Sequence, residues 1–254
     1  MRIAVISDIH GNLTALEAVL DDIVTQDVDK IFCLGDLVGY GPHPREVIDI
    51  ALRYFEFCLR GNHDEAVTYR IPKNFNPVAT RSVFWTRKRL KPAPTSPIHA
   101  IRRWTFMRKK LQDVVQVDDL LFAHGTPKSF YDYIDSIKAA RKVFQTMFPP
   151  DVTTLFIGHS HIPVVFVEAE QGIRLLNYDS PQRPPLRRFR LIVNVGSVGQ
   201  PRDGDPRACY VVVDDEENRF WYRRVEYDVE RVIRDIYSRA GLPKDNANRL
   251  RGGY

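Results

Sequence analysis

The chain has 254 residues, of which 44% are apolar and 27% charged, with a formal net charge of +5. Those proportions exclude a disordered or fibrous class and suffice for one large, well-buried domain. No run approaches the ~20 apolar residues of a membrane-spanning helix, and the opening MRIAVISDIHGN is charged too soon for a secretory signal, so a cytoplasmic protein without membrane contact is expected.

Arg2 to Ser7 is a β-branched run ending in a polar turn, and Leu13, Leu16, Leu20 and Ile23 then recur at helical spacing between Asn12 and Thr25. The unit repeats. Lys30 to Leu34 reads as a strand running into Gly35-Asp36, Arg45 to Tyr54 as a helix, and Phe55 to Leu59 as a third strand ending at Arg60-Gly61-Asn62-His63-Asp64. Such alternation implies βαβ crossovers and a largely parallel sheet whose ligands gather at the carboxyl ends of its strands.

Residues 78–90 and 98–112 read as helices separated by KPAPTSP, forming a basic helical insertion at about 73–112 within a single domain spanning 1–254. The stretch Ala66 to Gln112 holds 12 Lys/Arg and no Asp/Glu, leaving 25 basic against 32 acidic residues elsewhere. A polyanionic partner is one reading of it and a solvated face the other. No nucleic-acid-binding motif accompanies the charge, so nucleic acid is not favoured. Phe84, Trp85, Trp104 and Phe106 could stack bases, but aromatics at helical spacing point first to core packing.

Leu120 to Phe122 leads into His124, Ile137 to Met147 is helical, and Thr153 to Ile157 leads into Gly158-His159-Ser160-His161. From Val164 the pattern becomes one of short extended runs, at Val164–Val167, Arg174–Leu176, Leu191–Val195, Cys209–Val213 and Phe220–Val225, which suggests antiparallel pairing. Asp228 fits an N-cap for Val229 to Ala240, which stops at Gly241-Leu242-Pro243. Cys33, Cys58 and Cys209 sit in apolar stretches without CxxC spacing and read as buried thiols.

Five of the seven histidines (His10, His63, His124, His159 and His161) follow predicted strands and stand beside Asp8, Asp36 and Asn62. Asp8 and His10 are two apart, so at the end of an extended strand both side chains can face one ion, and His159 with His161 repeats the spacing. Imidazole mixed with carboxylate suits Mn, Fe, Zn or Ni, whereas Mg and Ca favour all-oxygen shells. Gly35 and Gly61 precede Asp36 and Asn62, where a missing side chain lets the backbone turn sharply.

Asp8-x-His10, Gly35-Asp36, Gly61-Asn62-His63-Asp64, His124-Gly125 and Gly158-His159-Ser160-His161 together resemble the calcineurin-like metallophosphoesterase superfamily, five blocks in family order. The resemblance implies an α/β/β/α sandwich, two mixed sheets flanked by helices. It also implies two divalent transition-metal ions, one held by Asp8, His10, Asp36 and His161, the other by Asp36, Asn62, His124 and His159. Asp36 would bridge them. Two such cations neutralise phosphoryl oxygens and acidify a water for in-line attack, which makes the chain a phosphoester hydrolase. His63, a non-ligand in the family, is the candidate acid for the leaving oxygen, with Asp64 either its partner or a helix cap. Asn12, Asn62, Arg60 and Arg202 adjoin the motif loops and are candidate phosphate contacts.

The superfamily's protein phosphatases carry a phosphate-clamping arginine shortly after Gly-Asp, where this chain has Leu37-Val38-Gly39-Tyr40-Gly41-Pro42. The chain is instead similar to the small prokaryotic-type phosphodiesterases, which the stretch Asn194 to Arg202 also resembles. A small nucleotide-like or aryl diester is the expected substrate. Hydrolysis of dinucleoside polyphosphates or phosphomonoesters is the alternative, ahead of a nuclease or a non-catalytic scaffold on the same fold.

Overall fold

The computed structural model describes residues 1–73, 75–180 and 184–254; Asn74, inside the expected insertion, lies outside them. The first sheet runs β11-β10-β1-β2-β3. Its parallel half is β1 (Arg2–Ile6), β2 (Lys30–Cys33) and β3 (Phe57–Cys58), and β10 (Ala208–Asp214) and β11 (Arg219–Val225) add antiparallel to it beyond β1.

The second sheet runs β4-β5-β6-β9-β7-β8, from β4 (Val114–Val117), β5 (Leu120–Ala123), β6 (Thr154–Ile157), β7 (Val164–Ala169), β8 (Gly172–Asn177) and β9 (Arg190–Asn194). Its core of β5, β6 and β9 is parallel. Antiparallel strands are therefore split between the two sheets rather than forming one of their own. The second sheet begins at β4, a four-residue strand too short to show a clear period, and β3 is shorter than expected because Phe55 and Glu56 belong to the connection.

Alternate side chains of these strands serve different layers. Ile3 and Val5 of β1, Phe122 of β5, Phe156 of β6 and Val211 and Val213 of β10 fill the core between the sheets. Ala4 and Ile6 of β1 and Val212 of β10 face the helices outside the first sheet. These are α1 (Leu13–Val24), α2 (Pro44–Tyr54), α3 (Asn62–Thr68), α4 (Pro77–Leu90) and α5 (Ile98–Lys109). Leu121, Leu155 and Ile157 face α6 (Ile137–Thr146) outside the second. The layers are thus helix, sheet, sheet, helix.

The basic insertion lies on the first sheet's helical layer, where α4 and α5 pack against α2 and α3 through Val83, Leu90 and Met107. Trp104 and Phe106 pack against that same core, and Trp85 is buried under α7 (Val229–Ser238) and α8 (Asp245–Gly252), the latter absent from the sequence reading. Of the four aromatics weighed for base stacking, Phe84 is the exposed one. The three cysteines are buried and unpaired. Among the described residues, no helix is long and apolar enough to cross a membrane.

Asp22 on α1 ties this layer to the first sheet's edge, accepting from Arg223 Nη2 and Nε on β11 at 2.6 and 2.9 Å and from the Tyr210 hydroxyl on β10 at 2.7 Å. The Arg223 hydrogen bonds hold its carboxyl below the usual range. A carboxylate depressed in the folded state stabilises fully above its unfolded pKa, and that contribution is lost as pH falls through the folded one. Asp22→Asn is therefore expected to cost about 1 kcal/mol at neutral pH, allowing for partial exposure. The difference from the parent, followed by urea denaturation, should shrink as the solution is acidified.

Candidate metal centre

Asp8 follows β1, Asp36 follows β2, His124 follows β5, and His159 and His161 follow β6, so the carboxyl ends of both sheets deliver them to one edge. Backbone hydrogen bonds sew the loops together there: Asp8 N–H donates to Gly35 O, His10 N–H to Asp36 O, Val198 N–H to Ser7 O and Gly199 N–H to Asp8 O. Asp8, His10, Asp36, His159 and His161 all have φ between +51° and +66°. The side chains thus converge through left-handed turns, not through the pleat of an extended strand. The two His-containing pairs also differ: His161 joins Asp8 and His10, whereas His159 joins Asp36 and His124.

Gly35, at φ +110°, is left-handed as a tight turn requires. Gly61 is extended, and its need is space: a Cβ there would strike Asp36 Oδ1. On Gly158 a Cβ would meet Ser7 Oγ and Asp8 Oδ2.

The imidazoles are fixed in one tautomer by their outer contacts. His10 Nδ1 lies 3.2 Å from Val38 O, His161 Nδ1 2.5 Å from Gln200 O, and His124 Nδ1 3.0 Å from Leu34 O. A carbonyl only accepts, so each Nδ1 carries the proton and each Nε2 presents a lone pair inward. His159 reverses the ring, with Nε2 3.2 Å from Tyr131 O and its face stacked on Tyr133 at 3.8 Å.

His10 Nε2 and His161 Nε2 consequently face each other at 3.2 Å, and His161 Nε2 lies 3.2 Å from Asp8 Oδ1, a buried oxygen without a hydrogen-bond donor. Lone pairs facing one another out of water repel, and a cation between them turns the repulsion into coordination. Asp36 Oδ2 sits 3.6 Å from both His10 Nε2 and His124 Nε2, between the two clusters, while its Oδ1 accepts from His63 N–H at 2.8 Å. Asn62 Oδ1 is 3.1 Å from His124 Nε2.

Burial, with the Asp64 and Asp8 charges, pushes Asp36 well above the ordinary carboxylate range. Burial lowers His10, His63, His124 and His161, and takes His159 down to about 3. Neutral imidazoles are what a metal needs, and bound dications would reverse the rise at Asp36. The donor set therefore fits divalent transition metals.

His63 opens α3 beside Asn62, its ring 4.8 Å from His10, 4.5 Å from Tyr40 and 4.9 Å from Phe75. Its Nδ1 is buried without a hydrogen-bond partner among the described residues. Asp64 does not partner it. That carboxylate accepts from Gly61, Leu37 and Val38 N–H at 3.1–3.3 Å, pinning the start of α3 to the Asp36 loop.

Two candidate phosphate contacts are engaged elsewhere. Asn12 caps α1 through Ala15 N–H at 3.1 Å and donates to Gly199 O at 3.0 Å. Arg60 binds Glu65 at 3.2 Å and stands outside the walls of the cavity over the centre. Arg202 and Asn62 do line that cavity, of about 670 Å³. Its aromatic walls, Tyr40, Phe75, Tyr131 and Tyr133, carried no motif in the sequence. Tyr40 between two glycines was the signal the sequence offered, and its backbone is left-handed at φ +51°; the Tyr131–Tyr133 loop had none.

Residues 1–218 match the family model of the calcineurin-like phosphoesterase superfamily domain. An uncharacterized protein of Methanocaldococcus jannaschii is 34% identical over 242 residues, 92% of this chain and 91% of its own. A metallophosphoesterase crystal structure from Sphaerobacter thermophilus superposes with a TM-score of 0.84 at 34% identity, covering 100% of this chain and 99% of that one. A hypothetical protein from Pyrococcus horikoshii shares the fold, with a TM-score of 0.76 at 20% identity over 100% and 98% of the two chains.

Since Asp36 lies between both clusters, Asp36→Asn is expected to abolish tight metal binding. In the parent, Mn²⁺ at 100 times its dissociation constant should raise stability by about 2.7 kcal/mol. Differential scanning fluorimetry with and without chelator checks both: the parent's midpoint should move by several degrees and the variant's should not.

Proposed function

Because the chain belongs to the calcineurin-like phosphoesterase superfamily, we propose that it is a dinuclear-metal phosphodiesterase acting on small nucleotide-like or aryl diesters in the cytoplasm. The observation that carries the metal requirement is the opposition of His10 Nε2 and His161 Nε2 at 3.2 Å beside the donor-less Asp8 Oδ1. Asp8, His10, Asp36 and His161 would hold one ion and Asp36, Asn62, His124 and His159 the other, with Mn, Fe, Zn and Ni the ions such donors suit. Two bound cations neutralise phosphoryl oxygens and acidify a water for in-line attack.

The chain's own groups would complete the reaction. Arg202 lines the cavity, where its guanidinium would offer a charged donor to a phosphate oxygen. His63 would give the leaving oxygen its proton. Burial first, and the Arg202 charge second, hold His63 well below the ordinary imidazole value, so its acid form depends on an anionic substrate to offset that charge.

Two features favour a diester over a monoester. Gly39-Tyr40-Gly41 stands where a phosphatase's clamping arginine would lie. The cavity also continues beyond the ligand cluster along Tyr40, Tyr131 and Tyr133, giving a second ester substituent an aromatic surface. Dinucleoside polyphosphates and monoesters are the competing substrates for the same centre.

Full-length protein loaded with Mn²⁺ is expected to hydrolyse bis(p-nitrophenyl) phosphate faster than p-nitrophenyl phosphate, a dinucleoside polyphosphate or single-stranded DNA. A different order would replace the diester reading, and no turnover on any would return the scaffold. His63→Ala should retain metal and lose about 10²–10⁴ in kcat on esters with poor leaving groups, with a smaller loss on p-nitrophenyl esters. His63 also lies within ligand reach of His10 and Asp36. Loss of metal from that variant would make it a ligand instead.

A further inference from the structure

Five of the seven arginines in the basic segment are engaged in holding the structure together. Arg87 donates to Val67 and Ala66 carbonyls, Arg103 pairs with Asp49, Arg81 with Asp245, and Arg89 and Arg108 lie over Trp85 and Tyr69. Arg70 and Lys73 differ. Both lie on the connection from α3 to α4, both are exposed, and both line the cavity that also holds His63 and Asp36. Neither has a carboxylate partner among the described residues. Glu65, the wall's acid outside the ligand cluster, is neutralised by Arg60 at 3.2 Å. Two unpaired cations beside an active-site cavity create a field that attracts a further negative group.

The length of α3 sets where that group sits. The helix starts at Asn62 and His63 and runs seven residues, about 10 Å at 1.5 Å per residue, before the chain reaches Arg70. The side chains of Arg70 and Lys73 reach the cavity from beyond the end of that helix, opposite the end that carries Asn62 and His63. A second phosphate joined to the first through one bridging oxygen would lie back at the metal end. One separated from it by a sugar extends toward these cations, with the base left to the aromatic wall.

Resting on the phosphodiesterase reading of this same cavity, we propose that Arg70 and Lys73 form a second anionic subsite, selecting a nucleotide diester that carries an additional phosphate across its sugar. The cavity then reads two charges of one small substrate, the reacting phosphate at the metal edge and a spectator phosphate at the α3–α4 connection. Such a spectator contact acts through affinity and depends on salt.

The test is calorimetric binding of thymidine 3′,5′-bisphosphate and thymidine 5′-monophosphate to the full chain loaded with Mn²⁺, with the cell contents analysed afterwards for intact ligand. The bisphosphate is expected to bind at least tenfold more tightly at low salt, a ratio that falls toward one in 0.5 M NaCl. The same ratio should fall toward one in the Arg70→Ala/Lys73→Ala double variant, whose thermal midpoint is checked against the parent. Equal affinities in the parent, or a preference that survives the double substitution, would overturn the subsite. Failure to hydrolyse bis(p-nitrophenyl) phosphate while the preference stands would instead overturn the phosphodiesterase reading and leave the subsite in place.

Discussion

Two imidazole lone pairs held 3.2 Å apart in the buried edge of a double sheet, with an unsatisfied carboxylate oxygen beside them, are the constraint around which this protein is organised. Left alone, that arrangement repels, and burying it costs free energy that no neighbouring hydrogen bond returns. A bound cation converts the same donors into coordination. The backbone carbonyls of Val38, Gln200 and Leu34 make the arrangement unavoidable, because each fixes a ring so that its basic nitrogen points inward.

The two sheets serve this edge. Parallel strands in both end there, and the inter-sheet core of Ile3, Val5, Phe122 and Phe156 fixes their separation. His159 N–H donates to Asp8 Oδ2 at 3.0 Å, so a loop carrying candidate ligands from one sheet is aligned by a candidate ligand carboxylate from the other. Left-handed backbone at Asp8, His10, Asp36, His159 and His161 costs of order 1–2 kcal/mol per residue. The hydrogen bonds between the loops offset part of that, and Asp and His are among the residues that tolerate the conformation best. A stiff centre is the result, with the rings of His63 and Tyr40 packed against it.

The five motif blocks were legible because polar residues placed directly after apolar, β-branched runs have few structural reasons to be there, and because their order resembles a known family. The layer architecture followed from that resemblance. The assignment of antiparallel strands did not, since pairing partners such as β10 with β1 are set by contacts between residues some 200 positions apart. Local spacing also misled at Asp8 and His10, where an i, i+2 pattern suggested a pleat and the backbone uses left-handed turns. Arg60 and Asn12 carried donors next to motif loops, but only their acceptors, Glu65 and the Gly199 carbonyl, reveal that those donors are already engaged. The basic segment needed the fold to be read at all: its arginines mostly bind carbonyls, acids and aromatic faces, leaving Arg70 and Lys73 at the cavity.

The central claim is that cations lie between these opposed lone pairs, shared across Asp36. Anomalous diffraction from crystals grown with Mn²⁺ tests it most directly. The account predicts two anomalous peaks per chain, one among Asp8, His10 and His161, the other among Asn62, His124 and His159, both within coordination distance of Asp36. A single peak away from Asp36, or none at full Mn²⁺ saturation, would contradict it.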